Sequence, residues 1–412
     1  MALEAQDLLW LLLPLAAASG WYAARRDLRR PAAAPVSPDY FRGINYLLNE
    51  QPDKAIEVFT RMLEVNTETV ETHLALGGLF RRRGEVERAI RIHQNLIARS
   101  TLDAAQRSQA LCELAQDYLK AGLLDRAENL FLELAEIPAH LETALRALMA
   151  IYEQEKEWHK AIVSARRLAL IVDSDLGPLL AQYHCEMGER ALQAANLAHA
   201  SSCAGDALAA DAGCVRASII SGRVAAAQGK EREAIVAWQK IEQQDAALLD
   251  EVLDEIAAAF QRLNDEQHLY AYLYDVASRQ PGIRTLLALT QLILVRDGQS
   301  AAQTFIAERL RQQPSVAGLK RLIDLQVTQD SPASRENLGL VKDILDLLVA
   351  QQEGYQCRQC GFRGQTLHWQ CPACHAWISM QPASGSDIPM TSTNSEMLAR
   401  PLPILIKRKE HE

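Results

Sequence analysis

An alanine recurs at nearly constant spacing between residues 55 and 234 of the sequence. Six alanines mark this repeat, at intervals of 34, 38, 34, 39 and 34 residues: Ala55, Ala89, Ala127, Ala161, Ala200 and Ala234. Such a period is typical of proteins in which each repeat is a small unit that buries its apolar face only against the next unit. The chain of 412 residues is also long for one ordinary core. We therefore predict a stacked array of repeats.

Other positions keep step with these alanines. Twelve residues earlier the residue is usually small: Gly43, Gly77, Ala115, Met149, Gly188 and Gly222. Nine residues earlier, the first four repeats carry a ring: Tyr46, Phe80, Tyr118 and Tyr152. Four residues later stands a ring or another alanine: Phe59, His93, Phe131, Ala165, Ala204 and Trp238. Small residues let helices cross closely, and rings fill the space between helix pairs, so the pattern predicts packed helices.

The pattern resembles the tetratricopeptide repeat, a helix–turn–helix unit of about 34 residues. Glycines suited to a turn recur five residues before the alanine, at Gly84, Gly122 and Gly229. Abundant Ala and Leu favour helices over sheets. We therefore predict an all-α fold, a tetratricopeptide-repeat superhelix over residues 40–350. A generic Ala- and Leu-rich helical protein without a true superhelix is the alternative.

The repeat weakens along the chain. The fifth repeat has Ala191 at the aromatic position, and the units become degenerate beyond about Glu251. A segment around Ala302, from residue 286 to 314, is a candidate for one more helix pair. Residues 339–350 form a candidate apolar helix that caps the array.

The N-terminus has the pattern of a membrane anchor. Residues 8–24 carry no charge, with Trp10 near one end and Trp21 and Tyr22 near the other, where amphipathic rings favour the interface. Four arginines follow within residues 25–30, and positive charge is retained on the cytoplasmic side. We predict a single transmembrane helix over residues 1–25 and a basic, proline-rich tether over residues 26–39. A cleaved signal peptide and a buried soluble helix are the alternatives.

The eight cysteines divide into two groups. Four are scattered singly through helical-looking sequence, where cysteine is usually a small buried residue: Cys112, Cys185, Cys203 and Cys214. The other four form two Cys-x-x-Cys pairs: Cys357, Cys360, Cys371 and Cys374. Each pair turns two sulfurs toward one point, so the two pairs can close a tetrahedral thiolate site for one metal ion. Four thiolates suit zinc or a single iron.

The paired cysteines have two alternative interpretations. Disulfides or free thiols are the alternatives to metal binding, and a stable pair of disulfides is disfavoured on the cytoplasmic side of a membrane. Cys-x-x-Cys-Gly followed by Cys-Pro-x-Cys resembles a rubredoxin-type knuckle, so an iron redox module tethered to a repeat scaffold is the alternative function. His368 and His375 lie nearby, but we expect them at the surface or behind the ligands, because four sulfurs already complete the shell. We expect this ribbon, residues 353–382, to dock on the last helices and to act structurally.

Several functional classes lack support in the sequence. We find no nucleophile motif, phosphate-binding loop, dinucleotide turn or two-histidine zinc-protease helix. We therefore predict no catalytic residues, and an enzyme with an unrecognised site is the weakest of the alternatives. A formal net charge of −9 argues against a general nucleic-acid binder. Residues 383–412, rich in Pro, Ser and Thr, are predicted to be a flexible tail.

The parts together resemble the lipopolysaccharide assembly protein B family of Gram-negative bacteria, over nearly the whole chain up to Pro382. The most specific stretches are Leu11-Leu-Leu-Pro14 with Gly20-Trp21-Tyr22, the segment from Gly84 to Gln94, and Cys357-Arg-Gln-Cys360-Gly-Phe with His368-Trp-Gln-Cys371-Pro. The tail extends beyond the family pattern.

This resemblance implies a cell inner-membrane, single-pass protein, with a periplasmic N-terminus and most of the chain on the cytoplasmic side. It implies a regulator of lipopolysaccharide synthesis that promotes degradation of the lipid A-committing deacetylase by a membrane AAA metalloprotease. It also implies that the protein coordinates other lipopolysaccharide assembly proteins, and that the four paired cysteines are metal ligands. The repeats and ribbon would then bind partners while the anchor holds them at the membrane.

Overall fold

The computed structural model describes most of the predicted array and the ribbon. The described residues are 38–49, 54–59, 70–100, 102–279, 282–312, 314–327, 341–346 and 354–383, with Trp21, Gln51, Gly339 and Leu348. The predicted membrane span, apart from Trp21, lies outside them, as do nearly all of the tether and the tail. Among the described residues, no helix combines the length and apolar character needed to cross a bilayer.

The chain divides into two units, Met1–Ile151 and Tyr152–Glu412. In the first unit, consecutive helices pack on each other as pairs. Its helices are Pro38–Leu48, Val70–Arg83, Val86–Ile97, Ala104–Lys120 and Leu124–Leu134, followed by Leu141–Glu155, which ends in the second unit. Residues 54–59 are also helical. The helix Ala104–Lys120 begins with a capping box between Asp103 and Gln106, which satisfies N–H groups at its open end.

Within its described residues, the second unit continues with helices, which three short strands follow. The helices are Trp158–Ala169, Gly177–Gln193, Leu197–Ala210, Val215–Ala227, Glu231–Gln239, Ile241–Asp245, Leu253–Arg262, Glu266–Arg279, Ile283–Asp297, Gln299–Gln312 and Val316–Val327, with a 3₁₀ helix at Ala246–Glu251. The predicted pair around Ala302 is present, and Ala302 is fully buried. Of the predicted capping segment, residues 341–346 are helical and Leu345 is buried.

The repeat alanines lie where the helices of a pair cross. All six are fully buried, at 0 % exposure: Ala55, Ala89, Ala127, Ala161, Ala200 and Ala234. The large rings four residues later pack against the glycines of the preceding helix. A Cβ atom built on Gly222 would lie 2.1 Å from Nε1 of Trp238, which is inside any permitted contact. The same fit joins two further pairs: Gly43 with Phe59, and Gly77 with His93. Helix pairing as predicted from the sequence is therefore confirmed.

The rings nine residues before the alanine contact a side chain that was not predicted. A cation immediately before the alanine covers each ring, at 5.7, 5.5, 5.7 and 5.2 Å from the ring centroid: Lys54 over Tyr46, Arg88 over Phe80, Arg126 over Tyr118 and Lys160 over Tyr152. The fifth and sixth repeats have lost both partners. Ala191 and Ala225 replace the ring, while His199 and Glu233 replace the cation. Ring and cation therefore occur as one packing unit.

The turns between paired helices share one backbone conformation. Gly84, Gly122 and Gly229 have φ of 88, 73 and 74°, as their predicted turn position requires. Lys156 and Ala195 occupy the same position in two other repeats, and both have φ of 57°. The next N–H then donates to the carbonyl five residues back, which closes the helix end. The turn geometry is thus kept even where the sequence lacks glycine.

Candidate metal centre

The ribbon is built on three short antiparallel strands. They are β1 (Tyr355–Cys357), β2 (Arg363–Gly364) and β3 (Met380–Pro382), in the order β2-β1-β3. Cys357 lies at the end of β1, opposite Met380 of β3. The sheet therefore carries the first cysteine directly into the first Cys-x-x-Cys turn and fixes its position.

Both Cys-x-x-Cys turns have the same backbone hydrogen bonds. The N–H of Cys357 donates to the carbonyl of Phe362 at 2.7 Å, and the N–H of Cys371 donates to the carbonyl of Ala376 at 2.9 Å. These bonds curl each turn back over its own first cysteine. Each turn therefore presents two sulfurs on one side, as metal-binding knuckles do.

Each turn also contains one residue in the left-handed region. Gly361 has φ of 77°, and His375 holds the equivalent place in the second turn with φ of 57°. Their N–H groups donate to the carbonyls of Cys357 and Cys371 at 3.0 and 2.9 Å. The two knuckles are therefore copies of one conformation, although only the first has glycine at the left-handed position.

The four predicted site cysteines converge on one point. Their sulfurs all lie within 4.8 Å of one another: Cys357, Cys360, Cys371 and Cys374. Two of the separations are 3.8 Å, from Cys357 to Cys374, and 3.6 Å, from Cys360 to Cys371. Four sulfurs at a typical zinc–sulfur distance in a tetrahedron lie about 3.8 Å apart. The sulfur cluster therefore fits one tetrahedral metal ion.

The charges of the cluster also suit a cation. Hydrogen bonding with Ser379, 3.3 Å away, together with nearby backbone N–H groups, lowers the pKa of Cys357 to about 6. The N–H of Phe362 acts in the same direction on Cys360, but burial and the three neighbouring sulfurs raise the pKa of Cys360 to about 12. Adjacent thiolates repel one another, and a bound metal cation would offset much of that repulsion and favour the ionised sulfurs.

The two nearby histidines lie outside the sulfur cluster. The Nε2 atom of His368 is 3.2 Å from the hydroxyl of Thr366. The side chain of His375 is exposed, and its backbone N–H donates to the carbonyl of Cys371 in the second turn. Both placements agree with the prediction that neither histidine is needed to complete the four-sulfur set.

An aromatic cluster joins the ribbon to the helices. Trp377 of the ribbon makes edge contacts with Trp158 and Tyr183, at centroid distances of 6.1 and 6.0 Å. Trp158 and Tyr183 stack on each other at 5.9 Å. Tyr183 is fully buried, and its hydroxyl donates a hydrogen bond to the carboxylate of Glu153. Three large rings therefore meet where the second knuckle approaches the helices.

Carboxylates flank this aromatic cluster. Glu153 accepts hydrogen bonds from the Tyr183 hydroxyl and, at 3.2 Å, from the Gln370 side chain. Farther along the helices, Glu251 accepts from the hydroxyl of Tyr355 on β1. Burial, followed by these carboxylates, raises the pKa of both tyrosines, so each keeps its proton as a donor. The ribbon is thus held at its second knuckle and at its first strand.

A buried arginine supplies a third contact. Arg216, only 3 % exposed, places its guanidinium 5.7 Å from the ring centroid of Trp369. Glu186 and Glu189 each hold its Nη2 atom at 2.7 Å. The guanidinium is therefore fixed as a flat surface for the ribbon.

These contacts correct one expectation. We expected the ribbon to dock on the last helices, but Glu153, Trp158, Tyr183, Arg216 and Glu251 belong to the middle of the sequence. None of these five residues was predicted to contact the ribbon. They are spread over four α-helices and one 3₁₀ helix and share no repeat position, so no signal in the sequence marks them as contacts.

Sequence similarity to known proteins covers both the repeats and the ribbon. Residues 355–382 match a family described as rubredoxin metal binding domain, and residues 72–107 match the tetratricopeptide repeat. An Escherichia coli (strain K12) protein named "Lipopolysaccharide assembly protein B" is 37 % identical over 385 residues, covering 92 % of this chain and 99 % of the relative. A Haemophilus influenzae protein of the same name is 34 % identical over 394 residues, with the same coverage.

Proposed function

Because the chain belongs to the lipopolysaccharide assembly protein B family, we propose that it acts in lipopolysaccharide assembly as a non-catalytic adaptor. The observation that carries this proposal is similarity to named relatives over 92 % of the chain. Stacked helix pairs support it, because their usual work is to present an extended surface to protein partners. The partners are lipopolysaccharide assembly proteins.

The adaptor's specific task is to promote degradation of the lipid A-committing deacetylase by a membrane AAA metalloprotease. An adaptor accelerates such a reaction by holding enzyme and substrate together, which raises their effective concentration without new chemistry. The uncharged segment 8–24 and the arginines after it support a location at the inner membrane, with the N-terminus in the periplasm. The anchor then confines the search for partners to the membrane surface.

The metal site serves this task structurally. Cys357, Cys360, Cys371 and Cys374 hold one zinc or iron ion, which closes the ribbon and keeps its docking residues in place. Support comes from the convergence of the four sulfurs and from the charge that a cation would neutralise. When the metal ion closes the ribbon, Trp377 and Tyr355 are held in position to contact the helices.

Deacetylase abundance in cells tests the adaptor. A strain lacking this chain is complemented with the full chain, with a chain that begins at residue 26, or with Cys371→Ser. We expect only the full chain to lower the deacetylase level, and to do so only when the membrane protease is active. Cys203→Ala is the matched control, because it removes an equally buried cysteine outside the ribbon.

Two results would count against the adaptor. An unchanged half-life of the deacetylase with the full chain present contradicts the proposed task. Full activity of the chain that begins at residue 26 contradicts the need for the anchor. A membrane pull-down of wild type and Cys371→Ser then shows which partners require the closed ribbon.

The sulfur geometry also accepts iron, so a redox module is the second candidate. A purified sample with iron–thiolate colour and reversible reduction would support this candidate. A colourless sample with one zinc ion per chain would remove it and leave the structural role.

A further inference from the structure

Two buried cysteines outside the ribbon lie against each other. Cys185 is on the helix Gly177–Gln193, and Cys214 is the residue that precedes the helix Val215–Ala227. Their sulfurs are 3.7 Å apart, and the two side chains are 0 and 3 % exposed. The helices belong to the fifth and sixth repeats, so the sulfur pair bridges two neighbouring helix pairs.

The surroundings of the two sulfurs are unequal. The Cys214 sulfur accepts a hydrogen bond from the Gln182 amide at 3.6 Å. Hydrogen bonding with Cys185 lowers the pKa of Cys214 against the effect of burial, and the N–H of Ala217 and the charge of Arg216 lower it further. The same hydrogen bond between the two sulfurs, followed by burial, raises the pKa of Cys185. Cys214 is therefore the thiol of the pair that ionises more readily and the expected nucleophile.

We propose that Cys185 and Cys214 form a redox-active dithiol that hydrogen peroxide converts into a disulfide. The Cys214 thiolate attacks one peroxide oxygen, the O–O bond breaks, and a sulfenic acid and hydroxide result. Cys185 then attacks the sulfenic sulfur, the S–S bond forms, and the hydroxyl group leaves as water. In total, two thiols lose two protons and two electrons, and one hydrogen peroxide becomes two waters.

The position of this dithiol links it to the ribbon contact. Arg216 stands two residues after Cys214, binds Glu186 and Glu189 on the helix that carries Cys185, and stacks on Trp369. A disulfide would tie these same two helices covalently. Oxidation therefore strengthens the segment on which the ribbon rests, without changing the ribbon's own four cysteines.

Cys203 provides a matched control in the same repeat. It is 2 % exposed, and burial raises the pKa of its thiol. Its sulfur lies 3.7 Å from a ring nitrogen of His199 rather than against a second sulfur. Cys203 should therefore stay reduced under conditions that oxidise the dithiol.

The test is disulfide mapping on the full-length, zinc-loaded protein. The protein is treated with a small excess of hydrogen peroxide, alkylated under denaturing conditions and digested. Cys203 and Cys214 share one tryptic fragment, residues 191–216, so Asp-N cleavage before Asp211 is added to separate them. We expect a fragment that links Cys185 to Cys214, with Cys203 recovered as an alkylated thiol and zinc retained. The linked protein should show a higher Tm than the reduced protein.

Three results would overturn the assignment. The first is the absence of the linked fragment after peroxide has already released the zinc. The second is linkage of Cys203 to either partner as often as Cys185 to Cys214. The third comes from Cys185→Ala, in which the Cys214 sulfenic acid should accumulate and react with dimedone. If dimedone does not label Cys214 in this variant, Cys214 is not the nucleophile. The wild-type mapping stands even where a variant fails to fold.

Discussion

The helix pairs and the ribbon reach their stability by different routes. In the helix pairs the same packing recurs from repeat to repeat. Each repeat buries its alanine completely, and the side chain four residues later packs beside it. The ribbon has three strands of two or three residues, and its buried core is Cys357, Cys371 and Met380. Two of these three core residues are themselves candidate metal ligands. The array therefore spreads its stability over many sites, whereas the ribbon concentrates it at one.

This difference predicts how each region responds to damage. A segment as small as the ribbon buries too little apolar surface to fold alone, so it depends on metal closure and on docking. A helix pair keeps its neighbours when one contact is lost, because stability is nearly a sum over repeats and their interfaces. Damage to the ribbon should therefore be all-or-none, and damage to the array should be graded.

The largest effect is expected from Cys371→Ser. Metal closure supplies on the order of 10 kcal/mol in small zinc domains, so loss of one ligand should release the metal and unfold the ribbon. The helix pairs should stay folded. Metal analysis, together with amide hydrogen exchange over residues 354–383 and 158–239, checks both statements. Retained metal, or equal loss of protection in both regions, would contradict the prediction that the ribbon unfolds while the helix pairs stay folded.

A smaller effect is expected from Trp377→Ala, which tests docking apart from metal binding. Truncating a packed tryptophan typically destabilises by about 3–5 kcal/mol, and here the loss falls on the contact with Trp158 and Tyr183. The ribbon should keep its metal but exchange amide hydrogens faster. Ile378→Ala is the control, because Ile378 is adjacent and 48 % exposed. Equal effects of the two variants would show that the aromatic cluster does not hold the ribbon.

Within the array, two glycines at the same repeat position should behave in opposite ways. Gly222→Ala places a Cβ 2.1 Å from Trp238, whereas Gly188→Ala places one at an ordinary 3.4 Å from Cys203. Overpacking costs about 1–3 kcal/mol, and alanine in an open helix position gains about 1 kcal/mol over glycine. Urea unfolding should therefore show Gly222→Ala as less stable and Gly188→Ala as equally or more stable than wild type. Similar losses in both variants would mean that the ring does not decide the need for glycine.

Local patterns in the sequence predict the array well. The alanine period locates the helix crossings, because one small residue per crossing is a steric requirement that repeats. The turn glycines and the two cysteine pairs likewise locate positive-φ turns and converging sulfurs. Each of these signals lies within a few residues of the structure that it specifies.

The remaining features depend on contacts that no local pattern encodes. Tyr355 meets Glu251 across 104 residues of sequence, and Gln370 meets Glu153 across 217. A single sequence contains no record of such pairings, so the docking place was predicted wrongly. The cation that covers each ring is different, because its position beside the alanine is visible in the sequence and was overlooked. Lys156 and Ala195 were missed because local preference points to glycine in their turn.

The smallest effect is expected at one of these two turns. Ala195 has φ of 57°, a conformation that costs an L-residue about 1 kcal/mol and glycine nothing. Ala195→Gly should therefore stabilise the chain slightly, by about 0.5 kcal/mol once the greater freedom of the unfolded glycine is counted. Gly229→Ala, at the same position of the next repeat, should destabilise by a similar amount. Urea unfolding of the two variants measures both signs, and a loss of stability in Ala195→Gly would show that the array tolerates this strain for packing reasons instead.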